Sequence, residues 1–280
     1  MRSLALVLTA LASFSINTTF AQSIEEDLKT RANNLTLDLP TVPTWLKTFK
    51  FEHAKFTFVR IQYESYDYRN RQVRGLWATD FPDADLNFAT QLGKFTGLDV
   101  SKPIEVMRLT NPELKKHPFI YISEPGSMSI KEDEVVALRD YLNGGGFLLV
   151  DDFWSSQWND LEEVMKRVFP DRKPRELPLE HPIFHCVFDL KEKPQVFNFH
   201  NFIRGQSTTK VDAAKYYAIE DDNGRVMALM CHNNDLADGW ERAGEDATFK
   251  REMSEAKAFP MGFNIVYYAL TGGKPKGAEK

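Results

Sequence analysis

Between residues 56 and 63, Phe56-Thr57-Phe58-Val59-Arg60-Ile61-Gln62-Tyr63 alternates aromatic or β-branched side chains with polar ones, the two-residue period of a strand. Leu86, Phe88, Ala89, Leu92 and Phe95 then recur at helical spacing, with Asp85 placed to cap that helix and Gly97 to close it. Strands are predicted over 104–109 and 119–123. A helix over 131–142 follows, with Val135, Leu138 and Leu142 on one face, and Asn143-Gly144-Gly145-Gly146 ends it. Phe147-Leu148-Leu149-Val150 is an unbroken apolar run, as expected of a central parallel strand buried on both faces. The pattern continues with a helix over 158–169 and a strand over 184–190. Strands over 216–220 and 225–231 form a hairpin through Asp221-Asp222-Asn223-Gly224. Phe263, Val266, Tyr267 and Leu270 share a face of a last helix over 262–270. Strands alternating with helices predict an α/β fold: a mostly parallel central sheet flanked by helices, with a C-terminal hairpin and ligand sites at the carboxyl ends of strands.

The N-terminus departs from this pattern. Arg2, the apolar run 4–14 and Thr19-Phe20-Ala21 form the three parts of a secretory signal peptide, with cleavage expected after Ala21. Its apolar run is about eleven residues, short of the ~20 that span a bilayer. The expectation is therefore a periplasmic or secreted protein without a transmembrane anchor. Its expected parts are a signal peptide (1–21), a lead-in (22–55), a single α/β domain (56–272) and a polar tail (273–280). Thirty-five basic residues against forty acidic ones argue against a nucleic-acid partner held by bulk electrostatics. Two cysteines, Cys186 and Cys231, provide no disulfide framework and no Cys-x-x-Cys motif; an oxidising compartment would permit one bridge, and two buried thiols are the alternative.

Candidate chemistry gathers at strand ends. Asp151 and Asp152 close the apolar strand, where neighbouring carboxylates can bind a cation or split their pKa values for acid/base work. Alternation along the strand would instead turn one toward a cap and the other toward a cleft. His232 and Asp235, after the second hairpin strand, provide a base and an orienting carboxylate, with Asn233 beside them as a ligand contact or turn former. Asp80, Asp83 and Asp85 surround Pro82 as ligand contacts, caps or turns. Trp154 and Trp240 supply aromatic walls of the kind that suits sugars, with core packing as the other role open to them. His181 and His185 stand four apart, but Pro182 breaks the helix that would present both to a metal, so His181 is a candidate polar contact and no metal set is named. Nucleotide-binding glycine motifs and the Gly-x-Ser-x-Gly elbow are absent from the sequence.

The ordered segments Trp77-Ala78-Thr79-Asp80-Phe81-Pro82-Asp83-Ala84-Asp85, Gly145-Gly146-Phe147 through Asp151-Asp152-Phe153-Trp154, His181-Pro182-Ile183-Phe184-His185, His232-Asn233 and Gly239-Trp240-Glu241 resemble the domain of unknown function 4159 family over about residues 56–271. That resemblance implies a bacterial, exported or membrane-associated protein and brings no activity with it. More distantly, the helix, Gly-Gly turn, apolar strand and polar elbow resemble class I glutamine amidotransferase-like, flavodoxin-like folds. In those the elbow holds a nucleophilic Cys; here Asp151 and Asp152 stand at that place, which implies the fold without thiol chemistry. The resulting expectation is an exported protein that binds a small polar ligand, such as a carbohydrate, or an envelope partner. Its alternative is a metal- or carboxylate-dependent hydrolase using Asp151 or Asp152 with His232.

Overall fold

A computed structural model describes residues 23, 26–51, 55–66, 72–73, 75–100, 102–205 and 212–272. The expected signal peptide and the tail at 273–280 lie outside the described residues.

The central sheet is built from β1 (Phe58–Ile61), β4 (Ile104–Met107), β5 (Phe119–Ser123), β7 (Phe147–Phe153), β8 (Arg175–Glu176), β9 (Lys215–Glu220) and β10 (Val226–His232), in the spatial order β4-β1-β5-β7-β10-β9-β8. The first five in that order pair in parallel. β9 and β8 are added antiparallel at one edge. Counting only the five parallel strands in chain order, the arrangement is 2-1-3-4-5, the flavodoxin-like order, whose switch point lies between β1 and β5. A small antiparallel sheet of β2 (Glu64–Tyr66), β3 (Gln72–Val73) and β6 (Met128–Ser129) sits beyond the end of β1.

Strand alternation sorts the core into two apolar clusters. Phe58, Phe119, Tyr121, Phe147, Leu149, Leu229 and Cys231 face α1 (Asp83–Phe95), α4 (Leu236–Glu241) and α5 (Phe259–Thr271), the last entered through a π-helical stretch, Lys250–Ala258. Val59, Ile61, Ile120, Ile122, Leu148, Val150, Ala228 and Met230 face α2 (Glu132–Asn143) and α3 (Gln157–Val168). Burying each large apolar side chain stabilises the fold by about 1.5–3 kcal/mol. No helix among the described residues is long and apolar enough to cross a membrane.

Two local expectations change. Residues 184–190 form no strand: a 3-10 turn (Pro182–Phe184) leads into a loop whose backbone is satisfied by the Asn264 side chain, which accepts from Val187 N (3.0 Å) and Phe188 N (2.7 Å) and donates to Phe188 O (2.9 Å). Asp85 does not cap α1 but lies inside its first turn, pointing at the sheet. Both thiols are free; Cys231 is buried and Cys186 donates to Asn264 O at 3.2 Å.

Candidate functional site

The carboxyl end of the sheet gathers acidic side chains on the α1 and α4 side. Asp151 ends the alternating run of β7 on that face. Strict alternation would send Asp152 to the other face, yet Asp152 takes left-handed backbone (φ 56) and the next residue, Phe153, packs in the α2–α3 cluster. The break lets both carboxylates join one group. Asp80, between β3 and α1, and Glu124, directly after β5, are left-handed as well (φ 61 and 47). Left-handed non-glycine backbone is costly and collects at functional sites.

Around these residues, Asp80, Asp152 and Asp235 bring ligand atoms within 4.8 Å of one another, and so do Asp80, Asp238 and Glu241. Oxygens bound to one Ca2+ at 2.3–2.6 Å can stand no farther apart than about 5 Å, so both sets fit around an ion. Asp235 caps α4, accepting from Asp238 N at 2.9 Å, and Asp238 Oδ2 accepts from Phe199 N at 2.6 Å. Asp152 Oδ1 accepts from the Trp154 indole N–H at 3.2 Å. Asp151 Oδ2 accepts from Ala237 N at 3.1 Å, where the positive end of α4 favours a carboxylate, while its Oδ1 is buried without a hydrogen bond. Asp80 Oδ2 and the Tyr121 hydroxyl are likewise buried and unpartnered.

Electrostatics follow from this crowding. Burial, then the Asp238 and Glu241 charges, push the Asp80 carboxyl up to about 8. Burial raises Asp152, with Asp80 and Glu124 adding to it, and raises Asp235, with Asp152 and Asp238 adding to it. Burial also lifts Glu241 to about 7. Arg242 is the nearest cation to the second set, and its alignment is poor: Nε stands 2.6 Å from Glu241 Oε2 and 3.8 Å from Asp238 Oδ1, yet neither Nε nor Oε2 makes a hydrogen bond. A cleft of about 680 Å³ opens at Glu241, bounded by Arg31, Asp83, Asn87, Arg242, Glu245 and Lys250.

The other expected site residues have different places. His232 follows the alternation of β10 to the α2–α3 side, stacking on Phe153 (5.3 Å) and approaching Trp158 (5.6 Å), with Nε2 2.9 Å from Ser155 O. Burial lowers its pKa, so it is neutral near pH 7, and it does not join the carboxylates. Asp85 is committed to Arg60, which donates through Nε to Oδ2 at 2.9 Å and through Nη2 to Oδ1 at 2.5 Å, both side chains fully buried. Asp83 pairs with Arg31 at 3.3 Å on the rim of the cleft. Trp240, expected as an aromatic wall, is fully buried against Phe88 (4.4 Å) and donates to Ala258 O at 3.0 Å; core packing removes it from any surface. His181 caps the 3-10 turn by accepting from Ile183 N, and Asn233 Oδ1 accepts from Ser155 N at 2.9 Å; both shape loops. Asp238, Glu241, Glu124 and Tyr121 are not among the site residues expected from the sequence. The spacing of Asp238 and Glu241, three apart on a helix that Asp235 begins, is the signal that places them on one face.

The family model described as domain of unknown function (DUF4159) matches residues 57–270. No curated protein matches the chain.

Proposed function

The chain belongs to the DUF4159 family, and we propose, from its N-terminal sequence, that it is exported and, from the chemistry of the strand ends, that it binds a small polar ligand through a divalent cation held by Asp80, Asp152 and Asp235. The observation that carries this reading is the approach of those three carboxylates to within 4.8 Å. Like charges held this close in a buried place need a counter-charge or a proton. Fully buried Asp151 and Tyr121, each with an unpartnered oxygen, line the same place: Tyr121 interacts electrostatically with Asp151, Asp80 and Asp152. The position agrees with the rule that open α/β sheets bind ligands outside the carboxyl ends of their strands. Export rests on the sequence of residues 1–21 alone.

Calorimetric titration of protein freed of metal by EDTA with Ca2+, Mg2+ and Mn2+ tests the cation. Binding of at least one, abolished by Asp152→Asn and by Asp80→Asn, is expected; no binding by the wild type would overturn the reading. The buried, unpartnered Asp80 Oδ2 favours a second reading, a carboxylate-dependent hydrolase: burial beside Asp238 and Glu241 pushes this carboxyl up to about 8, which suits general acid catalysis. In that case metal-free protein would turn over a glycoside or amide substrate, and Asp80→Asn would abolish the turnover.

A further inference from the structure

Resting on the cation reading and deepening it, we propose that His232 and Asn233 are positioning residues of the site: they lock a bulge at the end of β7 through the Ser155 backbone, and the lock aims the Asp152 carboxylate at the ion. The bulge is visible in the register. Met230 of β10 stands opposite Val150 and His232 opposite Phe153, so β7 advances three residues where β10 advances two. An extra residue of this kind re-aims side chains, and here it brings Asp152 to the face that alternation gives Asp151.

His232 and Asn233, consecutive in the chain, hold the bulged segment by hydrogen bonds. Asn233 N donates to Phe153 O at 2.9 Å, Asn233 Oδ1 accepts from Ser155 N at 2.9 Å, and His232 Nε2 lies 2.9 Å from Ser155 O. Ser155 is therefore gripped at both its N–H and its carbonyl, in left-handed backbone (φ 49) that a serine keeps only where its surroundings hold it. Asn233 is left-handed too (φ 58) and 1% exposed, and its amide nitrogen donates to Ala213 O at 3.3 Å, which leaves Oδ1 as the acceptor. A carbonyl only accepts, so His232 carries its hydrogen on Nε2 and leaves Nδ1 bare, buried and without a partner. Phenylalanine would pack against Phe153 and Trp158 without stranding that nitrogen; what the imidazole adds is the N–H aimed at Ser155 O.

The connection to the carboxylates runs through Trp154. It stands between Phe153 and Ser155, the residues that the grip holds, and its indole N–H donates to Asp152 Oδ1 at 3.2 Å while its backbone N donates to Gln157 Oε1 at 2.7 Å. Asp151 and Asp238 are instead oriented by backbone N–H groups, from Ala237 and Phe199, and Asp235 by that of Asp238. Asp152 thus depends on a side chain whose place is set from the end of β10. Groups that orient a metal ligand without touching the metal change affinity by about 10–100-fold when removed, which is the effect expected here.

Two readouts on the full chain separate this role from the reading it rests on. In metal-free protein the NMR resonance of the Trp154 indole N–H, assigned by its loss in Trp154→Phe, follows the hydrogen bond to Asp152 without any cation, and calorimetric titration with Ca2+ and Mn2+ follows the ion. His232→Leu, which removes the donor, should shift the resonance and weaken cation binding by at least about tenfold, and His232→Gln, whose amide can donate to Ser155 O, should restore both. Asn233→Gly, which tolerates the left-handed backbone but lacks the acceptor, should act as His232→Leu does. Both readouts unchanged in His232→Leu, or one moving without the other, would overturn the positioning role, as would a His232→Gln variant as impaired as His232→Leu. No cation binding by the wild type would overturn the cation reading, and the resonance in these variants then decides by itself whether His232 and Asn233 aim Asp152. Circular dichroism checks folding: where His232→Leu does not fold, Asn233→Gly is read in its place against the same outcomes, and loss of the fold in both would overturn the role in favour of a purely structural one.

Discussion

Arg60 and Asp85 show what a fully buried charge requires in this protein. The guanidinium donates to both Asp85 oxygens and to the carbonyls of Trp77 (2.9 Å) and Thr79 (2.8 Å), and its face lies 4.8 Å from the Tyr121 ring centroid. Removing one partner strands the other, so Asp85→Ala should destabilise the fold by about 3–5 kcal/mol in urea unfolding, and a paired Arg60→Met and Asp85→Leu change should cost less than that. An effect below ~1 kcal/mol for Asp85→Ala would show that the pair is not the anchor its geometry implies. Asp80 stands in the opposite situation, with a buried oxygen and no hydrogen-bond partner for it. Burial and the Asp238 and Glu241 charges raise its folded pKa to about 8 from 3.8, so the folded state holds the proton more tightly than the unfolded chain. The Asp80 contribution to the stability of metal-free protein should therefore fall as pH climbs from about 4 to about 8, with the raised Asp152 and Asp235 carboxyls adding to the same downward slope. Thermal unfolding in EDTA across that window checks the sign, and Asp80→Asn should make the slope shallower. The sequence made Asp151 and Asp152 legible because an apolar run ends on them. Asp80 was harder to separate from Asp83 and Asp85: three carboxylates within six residues look alike until the helix start at Asp83 sends one to the cluster, one to the rim and one to Arg60.

Elements were legible wherever burial imposes a period. β7 follows from an unbroken apolar run, the β9–β10 hairpin from its Asp221-Asp222-Asn223-Gly224 turn and α1 and α2 from a 3.6-residue period, and their ends fall within a few residues of expectation. The loop after Phe184 was misread because its apolar residues pack on α5 while a side-chain amide, rather than a neighbouring strand, satisfies its backbone. His232 was misplaced for a related reason: proximity in sequence to Asp235 conceals that β10 alternates, turning His232 away from the face where α4 presents its carboxylates. The framework holding α4 in place is tight. A Cβ on Gly262 of α5 would lie 2.4 Å from Phe88 Cε2 and 2.9 Å from Trp240 Cζ2, and one on Gly239 would meet Ala258 Cβ at 2.4 Å. Gly262→Ala should cost about 1–3 kcal/mol by overpacking, measured by denaturant midpoint, and should weaken cation binding by shifting Trp240 and with it the carboxylates of α4. Unchanged stability would mean that Phe88 and Trp240 yield more readily than their burial implies.

For the molecule as a whole, the five parallel strands in the order 2-1-3-4-5 converge a loop after β1, the end of β7 and the helix after β10 on one rim, so residues from 80 to 241 assemble a site that no short motif announces. Such a site exists only in the folded chain. A cation at a hundred times its dissociation constant should add about 2.7 kcal/mol to stability, a rise of roughly 5–10 °C in melting temperature for a chain of this size. Differential scanning fluorimetry with Ca2+ or Mn2+ against EDTA checks this, and Asp152→Asn should lose the rise. Left-handed backbone at Asp80 and Asp152 also limits how the gene can drift. Asp, Asn and Gly are the residues that tolerate that conformation best, and single-nucleotide changes convert an Asp codon into either of the other two. Mutation can therefore remove the carboxylates at these two positions with little harm to the backbone, and descendants that have lost the proposed cation binding but kept the fold should carry Asn or Gly there.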